Sequence, residues 1–254
     1  MPIAFVRNVS ASINDCELTH MEQKPIDLEI ARDQHDAYVQ ALKDMGCEVH
    51  ELPQLDHQPD AVFVEDTAVV VPELAVLTNP GAVSRRGEVD STGESLAEHR
   101  TIARISDAGQ LEGGDVLRID KNVYVGCATR TDEAGIDELR SHLEPHGYRV
   151  IAIRHGAALH LKTACTYLGD GVLLLNPEWV DIACFDGLEP LECDPDEPFA
   201  CNAIRIGDEV LFPREFTKTR ARIEARGFKV RPVAASELAK AEGGLTCSSI
   251  IIDA

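Results

Sequence analysis

No apolar run in the 254-residue chain approaches the roughly 18 residues of a membrane-spanning helix. The N-terminal stretch, residues 1–8, has no long apolar core and no cleavage-site pattern, so a secretory leader is not indicated and the reducing cytosol is the expected compartment. No C-x-x-C pair exists among the eight cysteines, which excludes a zinc ribbon or a thioredoxin-like motif. Walker, Rossmann and H-E-x-x-H patterns are absent as well. Basic side chains are scarce: 24 Lys and Arg stand against 44 Asp and Glu, a formal charge of −20. Phosphate binding needs a basic face, so nucleic acid and anionic membrane surfaces are excluded as partners, and a cationic small molecule fits better.

What is present is a repeat. Strands at 69–71 and 74–78 flank Pro72-Glu73 as a hairpin. The same grammar restarts after Glu112, with strands at 116–119 and 123–126, a helix opened by Thr131 with Ile136, Leu139 and Leu143 at helical spacing, and a closing strand at 149–153. A third unit starts at His160 and leads through Gly169-Asp170-Gly171 into 172–175. A fourth starts at Cys201-Asn202, with strands at 203–206 and 209–212 and a helix from Thr217 to Gly227. The fifth starts at Cys247, and its missing half lies at the N-terminus, where Asp27 caps a helix carrying Ile30, Tyr38, Ala41, Leu42 and Met45. Gly46, Gly147 and Gly227 each end a helix just before a strand, a left-handed stop signal. A period of roughly 40–50 residues in about five units predicts a closed circular array, residues 1–254 as a single catalytic domain, with the N-terminal helix completing the last module.

In such an array the starts of equivalent strands converge. Glu65, Asp66, Glu112, His160, Cys201 and Cys247 would then face one central pocket. Taken singly, Cys247 reads as a buried structural thiol and His160 as a core histidine; the shared register turns both toward catalysis. Thiol, imidazole and carboxylate are the parts of an activated sulfur nucleophile. Cys201-Asn202 shares the register but has no neighbouring base and reads as packing around the axis, while Cys165, Cys184 and Cys193 read as structural.

The segments Phe63-Val64-Glu65-Asp66, Asn79 to Arg86, Leu111 to Asp115, Leu159 to Thr163 and Leu245-Thr246-Cys247 together resemble the dimethylarginine dimethylaminohydrolases, guanidino-group-modifying enzymes of the pentein superfamily. The resemblance spans nearly the whole chain and implies an α/β fold, a five-bladed propeller with pseudo-fivefold repeats around a central active site. It makes Cys247 the nucleophile, His160 the general acid and base, and Glu112 the carboxylate that orients it. Asp66 with Glu65 would hold the guanidinium, Phe63 would wall the pocket, and Arg85 and Arg130 would clamp the substrate carboxylate. Arg86, adjacent to Arg85, is expected in solvent. Asp60 and the backbone at Leu18 would receive the ammonium, and the backbone at Ala241 would complete the wall, although the family has a larger branched residue there. The implied substrate is a small cationic guanidino compound, the implied chemistry calls for no cofactor and no metal, and a homodimer is compatible with it. Arginine or agmatine deiminases share the thiol, imidazole and acid. Ribosome-binding anti-association factors share the architecture without catalysis. The deiminases typically carry an aspartate two residues after the histidine; Lys162 stands there in this chain.

Overall fold

The structure is a computed structural model and describes residues 1–253. Its strands form five sheets of three strands each. They are Ala68–Val70, Leu74–Leu77 and Thr101–Arg104; Val116–Ile119, Asn122–Gly126 and Arg149–Ile153; Cys165–Gly169, Val172–Leu175 and Glu189–Glu192; Ile204–Ile206, Glu209–Pro213 and Lys229–Val233; and Ile250–Ile252, Ile3–Val6 and Glu48–Glu51. In every sheet the middle strand is antiparallel to the first and parallel to the third, and in four of the five a tight turn joins the first two. A parallel return needs a crossover. Helices Val89–Leu96, Glu133–Leu143, Thr217–Ala225 and Leu28–Asp44 supply it in four sheets, whereas the third has only the 3-10 turn Ile182–Cys184 between its strands. The expected five strand-helix modules are therefore four, plus one whose helix has shrunk to a single turn.

The fifth sheet joins the two ends of the chain: Phe5 pairs with Ile250 and Ile3 with Ile252. Five apolar clusters lie between neighbouring sheets, and together they close the ring. Val69, Val76, Val123 and Leu139 fill the first gap, Leu117, Tyr124, Leu173 and Phe185 the next, and Leu174, Val210, Phe212 and Ile223 the third. Ala4, Leu42, Ile204 and Leu211 fill the fourth, and Phe5, Ile250, Val64 and Leu96 the last. Each sheet thus buries both faces, one against each neighbour, so its middle strand reads as a nearly continuous apolar run such as Val172-Leu173-Leu174-Leu175.

Two local expectations are corrected. The helix Glu133–Leu143 is capped by Asp132, whose carboxylate accepts from the Gly135 N–H at 2.8 Å, and not by Thr131, whose hydroxyl turns inward. Ile30 is 45% exposed and does not belong to the buried face of its helix, which carries Ala31, Gln34, His35, Tyr38 and Leu42 instead. Asp27 caps that helix as expected, accepting from the N–H groups of Glu29 and Ile30. Gly46, Gly147 and Gly227 take φ of 89°, 80° and 99°, the left-handed stop that a side chain would strain. Among the described residues no helix is long and apolar enough to cross a membrane.

Candidate active site

The reactive side chains sit on short helical turns placed immediately before the first strand of their modules. Glu65 and Asp66 lie in the turn Val64–Thr67, Glu112 opens the turn Gly113–Asp115, His160 opens Leu161–Ala164, and Cys247 lies in Thr246–Ser248. The turn holding Asp66 packs against those of Glu112 and Cys247, and the turn after His160 packs against that of Glu112. Small residues allow this approach: a Cβ on Gly114 would lie 2.6 Å from His160 Nδ1 and 2.7 Å from Asp66 Oδ1.

Asp60, Phe63, Asp66, Arg85, Glu112, Arg130, His160, Ala241 and Cys247 line one small cavity, joined by Glu17, Leu159, Glu242 and Gly243, which the sequence reading did not assign to it. Glu65, Cys201 and Leu18 do not line it. Glu65 binds Lys162 and accepts from Thr246 Oγ1 at 2.7 Å, so the acid beside Asp66 is tied to the other side of the axis. Cys201 is buried in the core between two sheets, as its packing role requires. Leu18 lies on an exposed segment whose neighbour Glu17 donates its N–H to Asp60 Oδ2 at 3.1 Å.

Within the cavity wall, Glu112 has no solvent exposure. Its Oε2 lies 2.7 Å from His160 Nε2, its Oε1 accepts from the Ala82 N–H at 3.2 Å, and Arg130 Nη1 stands 3.6 Å from that same oxygen. His160 Nδ1 faces Asp66 Oδ1 at 3.9 Å. Asp66 accepts from the Gly114 N–H at 2.9 Å and from Arg85 Nη1 at 2.6 Å. The Cys247 sulfur accepts from the Gly244 N–H at 3.3 Å.

Arg85 is more embedded than its expected role implies. It donates to both Asp66 and Glu88 and to the carbonyls of Asp60 and Phe63, and it is buried with them. Arg130 is freer, donating through Nη2 to Thr19 Oγ1 at 2.8 Å. The signal missed in the sequence was Glu88, three residues after Arg85 and therefore on the same side of a helical turn.

Asp66, Glu112 and His160 also offer one ligand atom each within 4.8 Å of one another, the spacing of a possible metal site. Their polar atoms are already engaged with Arg85, with the Gly114 N–H and with one another, so a metal would have to displace these bonds. A second cavity of about 180 Å³ adjoins the first, sharing Leu159, Glu242 and Gly243 with it, and is lined by Met21, Ala157, Phe199, Phe216 and other apolar side chains. It reaches none of Cys247, His160 or Glu112, so the chemistry belongs to the smaller one.

A family model described as N,N dimethylarginine dimethylhydrolase, eukaryotic, matches residues 1–183. The N(G),N(G)-dimethylarginine dimethylaminohydrolase of Streptomyces coelicolor is 36% identical, covering 97% of this chain and 95% of that protein. The chain belongs to this family. A second dimethylarginine dimethylaminohydrolase, from Pseudomonas aeruginosa, is 34% identical over 87% of each chain. A solved structure of the Pseudomonas aeruginosa enzyme, a Cys-to-Ser mutant complexed with citrulline, superposes with a TM-score of 0.94 at 32% identity, covering 98% of both chains.

The electrostatics of the site follow from burial set against local charge. Burial pushes the Cys247 thiol up, Glu65 and Asp66 push it further, and it comes to about 12. For His160 burial works downward, but Asp66, Asp115 and Glu112 outweigh it and hold the imidazolium up to about 9. Burial alone would raise Asp66 and Glu112; the cationic His160, with Arg85 for Asp66 and the His160 hydrogen bond for Glu112, reverses this and lowers both. Near neutral pH the empty site therefore holds a thiol, an imidazolium and two carboxylates.

Proposed function

We propose that this chain hydrolyses asymmetric dimethylarginine and monomethylarginine to citrulline and dimethylamine or methylamine, with Cys247, His160 and Glu112 as its catalytic residues. The observation that carries the reading is the cavity itself: one buried thiol, one imidazole bonded to a buried carboxylate, and a second carboxylate, Asp66, face the same space.

The empty site holds more negative than positive charge near the sulfur, which is why the thiol keeps its proton. A guanidinium bound against Asp66 brings a full positive charge next to Cys247 and offsets the fields of Glu65 and Asp66. Substrate binding then drives the thiol proton off to solvent. A charge at about 4 Å with an effective dielectric near 20 is worth roughly 4 kcal/mol, enough to move a thiol by about 3 units.

The thiolate attacks the guanidinium carbon, whose plane Asp66 fixes, and forms a C–S bond. The tetrahedral adduct collapses when the His160 imidazolium gives its proton to the departing amine nitrogen and the C–N bond breaks, leaving a cationic S-alkylthiouronium and neutral imidazole. Water attacks the same carbon as His160 takes one of its protons. The C–S bond then breaks, the other water proton returns to sulfur, and citrulline is released. Glu112 holds the imidazole in one orientation and favours its protonated form.

Arg130 and the remaining Nη1 hydrogen of Arg85 would meet the substrate carboxylate, Asp60 and the backbone near Leu18 its ammonium, and Phe63 and Ala241 the aliphatic stem. Lys162 bears on substrate choice. A second aspartate at its position would be left buried and unpaired by a dimethylated nitrogen, at about 1–3 kcal/mol or more; the lysine instead neutralises Glu65.

The decisive assay identifies the amine released from a panel of guanidino compounds. Dimethylamine from asymmetric dimethylarginine, at a kcat/KM above that for arginine or agmatine, is expected. Ammonia as the main product, with arginine preferred, would make the chain a deiminase. Cys247→Ser, nearly isosteric but far harder to ionise, should lose turnover by at least 1,000-fold while keeping its fold.

A further inference from the structure

Behind His160 and Glu112 lies a carboxylate that the proposed reaction does not use. Asp115 has no solvent exposure. Its Oδ1 accepts from the Leu161 N–H at 2.9 Å, the residue directly after His160. Its Oδ2 accepts from Thr131 Oγ1 at 2.7 Å, and the same Thr131 hydroxyl accepts from the Glu112 N–H at 3.1 Å. One carboxylate is thus bonded to the backbone beside the imidazole and, through one hydroxyl, to the backbone of the acid that holds it. Two modules are tied together at the point where their reactive side chains meet.

No lysine or arginine of the described residues pairs with Asp115. Besides His160, the basic group near it is His155, whose Nε2 stands 3.4 Å from Oδ1, with both ring nitrogens buried and without hydrogen-bond partners. A buried carboxylate with no Lys or Arg partner is costly. An asparagine oxygen could accept from the Leu161 N–H, but its NH2 could not accept from the Thr131 hydroxyl, so the acid alone serves both donors, and it does so with its charge beside the His160–Glu112 pair.

We propose that Asp115, acting through Thr131 and the Leu161 N–H, is a positioning residue for the His160–Glu112 pair, and that its charge keeps His160 in the imidazolium form needed to expel the amine. This rests on His160 being the general acid. The groups facing that imidazole are Glu112 at 2.7 Å and Asp66 at 3.9 Å, with Asp115 behind them on the Leu161 N–H, Arg85 and Arg130 engaging Asp66 and Glu112, and Cys247 across the cavity. Those facing Asp115 are His155, His160, Thr131 and the Leu161 N–H.

The test compares wild type, Asp115→Asn, Thr131→Val and Thr131→Ser as full-length, folded proteins, by two readouts. The first is the titration of the His160 imidazole followed by NMR, assigned by its loss in His160→Gly; it does not depend on which reaction the enzyme performs. The second is the pH profile of kcat and KM for dimethylamine release. Asp115→Asn is expected to lower the His160 titration by roughly one unit, to carry the basic limb of kcat with it, and to cut kcat at least tenfold while KM stays within threefold. Thr131→Val should lose kcat at least fivefold with the titration nearly unmoved, because the charge remains, and Thr131→Ser should recover it. A folded Asp115→Asn protein with an unmoved imidazole titration, or with kcat within threefold of wild type, overturns the proposal. If Asp115→Asn does not fold, Thr131→Val decides: kcat equal to that of Thr131→Ser overturns the positioning role, and a selective loss supports it. Failure of the general-acid reading is separate and visible, since the titration would then shift in Asp115→Asn while the pH limb of kcat stayed in place.

Discussion

Glu242 ties down the segment that carries Leu18, and removing its carboxylate should free that segment. Oε2 accepts from the Thr19 N–H at 2.9 Å, and Oε1 accepts from those of His20 and Met21 at 2.6 and 2.7 Å. Glu242 makes these bonds from a left-handed backbone, φ 59°, where a side chain costs roughly 1–2 kcal/mol. With the segment in place the reaction cavity measures about 20 Å³, room for one water. That is too small for dimethylarginine, so part of the wall has to move on binding, and the segment 17–22, which contributes Glu17 to that wall, is the part expected to do so. Three charge-assisted bonds at the low end of their range, about 1.5 kcal/mol each because the site is partly exposed, give roughly 4–5 kcal/mol in favour of closure. Glu242→Gly removes these bonds but also relieves the left-handed strain, so the net shift toward open is about 3 kcal/mol, on the order of 100-fold in population. Hydrogen exchange read by NMR should show the Thr19, His20 and Met21 amides exchanging about 100-fold faster than in wild type. In turnover, the closed complex that holds the substrate ammonium is weakened, so KM should rise about tenfold or more with a smaller change in kcat. Unchanged protection of these three amides, or an unchanged KM beside faster exchange, would refute the reasoning.

The remaining expectations use other parts of the wall. Glu112→Gln removes the charge bonded to His160; losing about 1.5–3 kcal/mol of charge-assisted bonding lowers the imidazolium from about 9 by roughly 1–2 units, so activity should be retained below the new value and lost at lower alkaline pH than in wild type. An unshifted basic limb would count against His160 as the acid. Arg130→Ala should cut kcat/KM for methylated arginines by roughly 30-fold, the value of about 2 kcal/mol, and for methylguanidine, which has no carboxylate, by less than threefold. Lys162→Met leaves Glu65 buried without its cation, so Glu65 takes up a proton; because Glu65 raises the Cys247 thiol more than Lys162 lowers it, thiol alkylation in the substrate-free protein should move to lower pH by roughly one unit.

How much of this was legible in the sequence depends on range. The hairpins are local, set by turn residues and by runs such as Val172 to Leu175, and their positions came through within a residue or two. The convergence of Asp66, Glu112, His160 and Cys247 was legible because the repeat places equivalent strand starts at equivalent points around an axis, so register stands in for distance. Register says which module position a residue holds; it does not say which way its side chain turns. Glu65 and Asp66 are adjacent, and one faces the cavity while the other meets Lys162. Thr131 and Asp132 are adjacent, both able to cap a helix, and what decides between them is the Asp115 carboxylate, 16 residues away in sequence and buried beside it.

Arg85 shows what that limit means for function. The resemblance casts Arg85 as a clamp for the substrate carboxylate. Here it lies within hydrogen-bond reach of Asp66 and Glu88, and both are buried. Truncating it would leave two buried carboxylates uncompensated, a loss of about 3–5 kcal/mol of stability, and Asp66 would drift out of the plane in which it must grip the guanidinium. Arg85→Ala should therefore lose activity toward methylarginines and methylguanidine alike, with a fall in thermal midpoint, whereas Arg130→Ala should discriminate between them. A substrate-selective loss in a fully stable Arg85→Ala protein would show that its guanidinium serves the ligand more than the fold, and that Asp66 keeps its place without it.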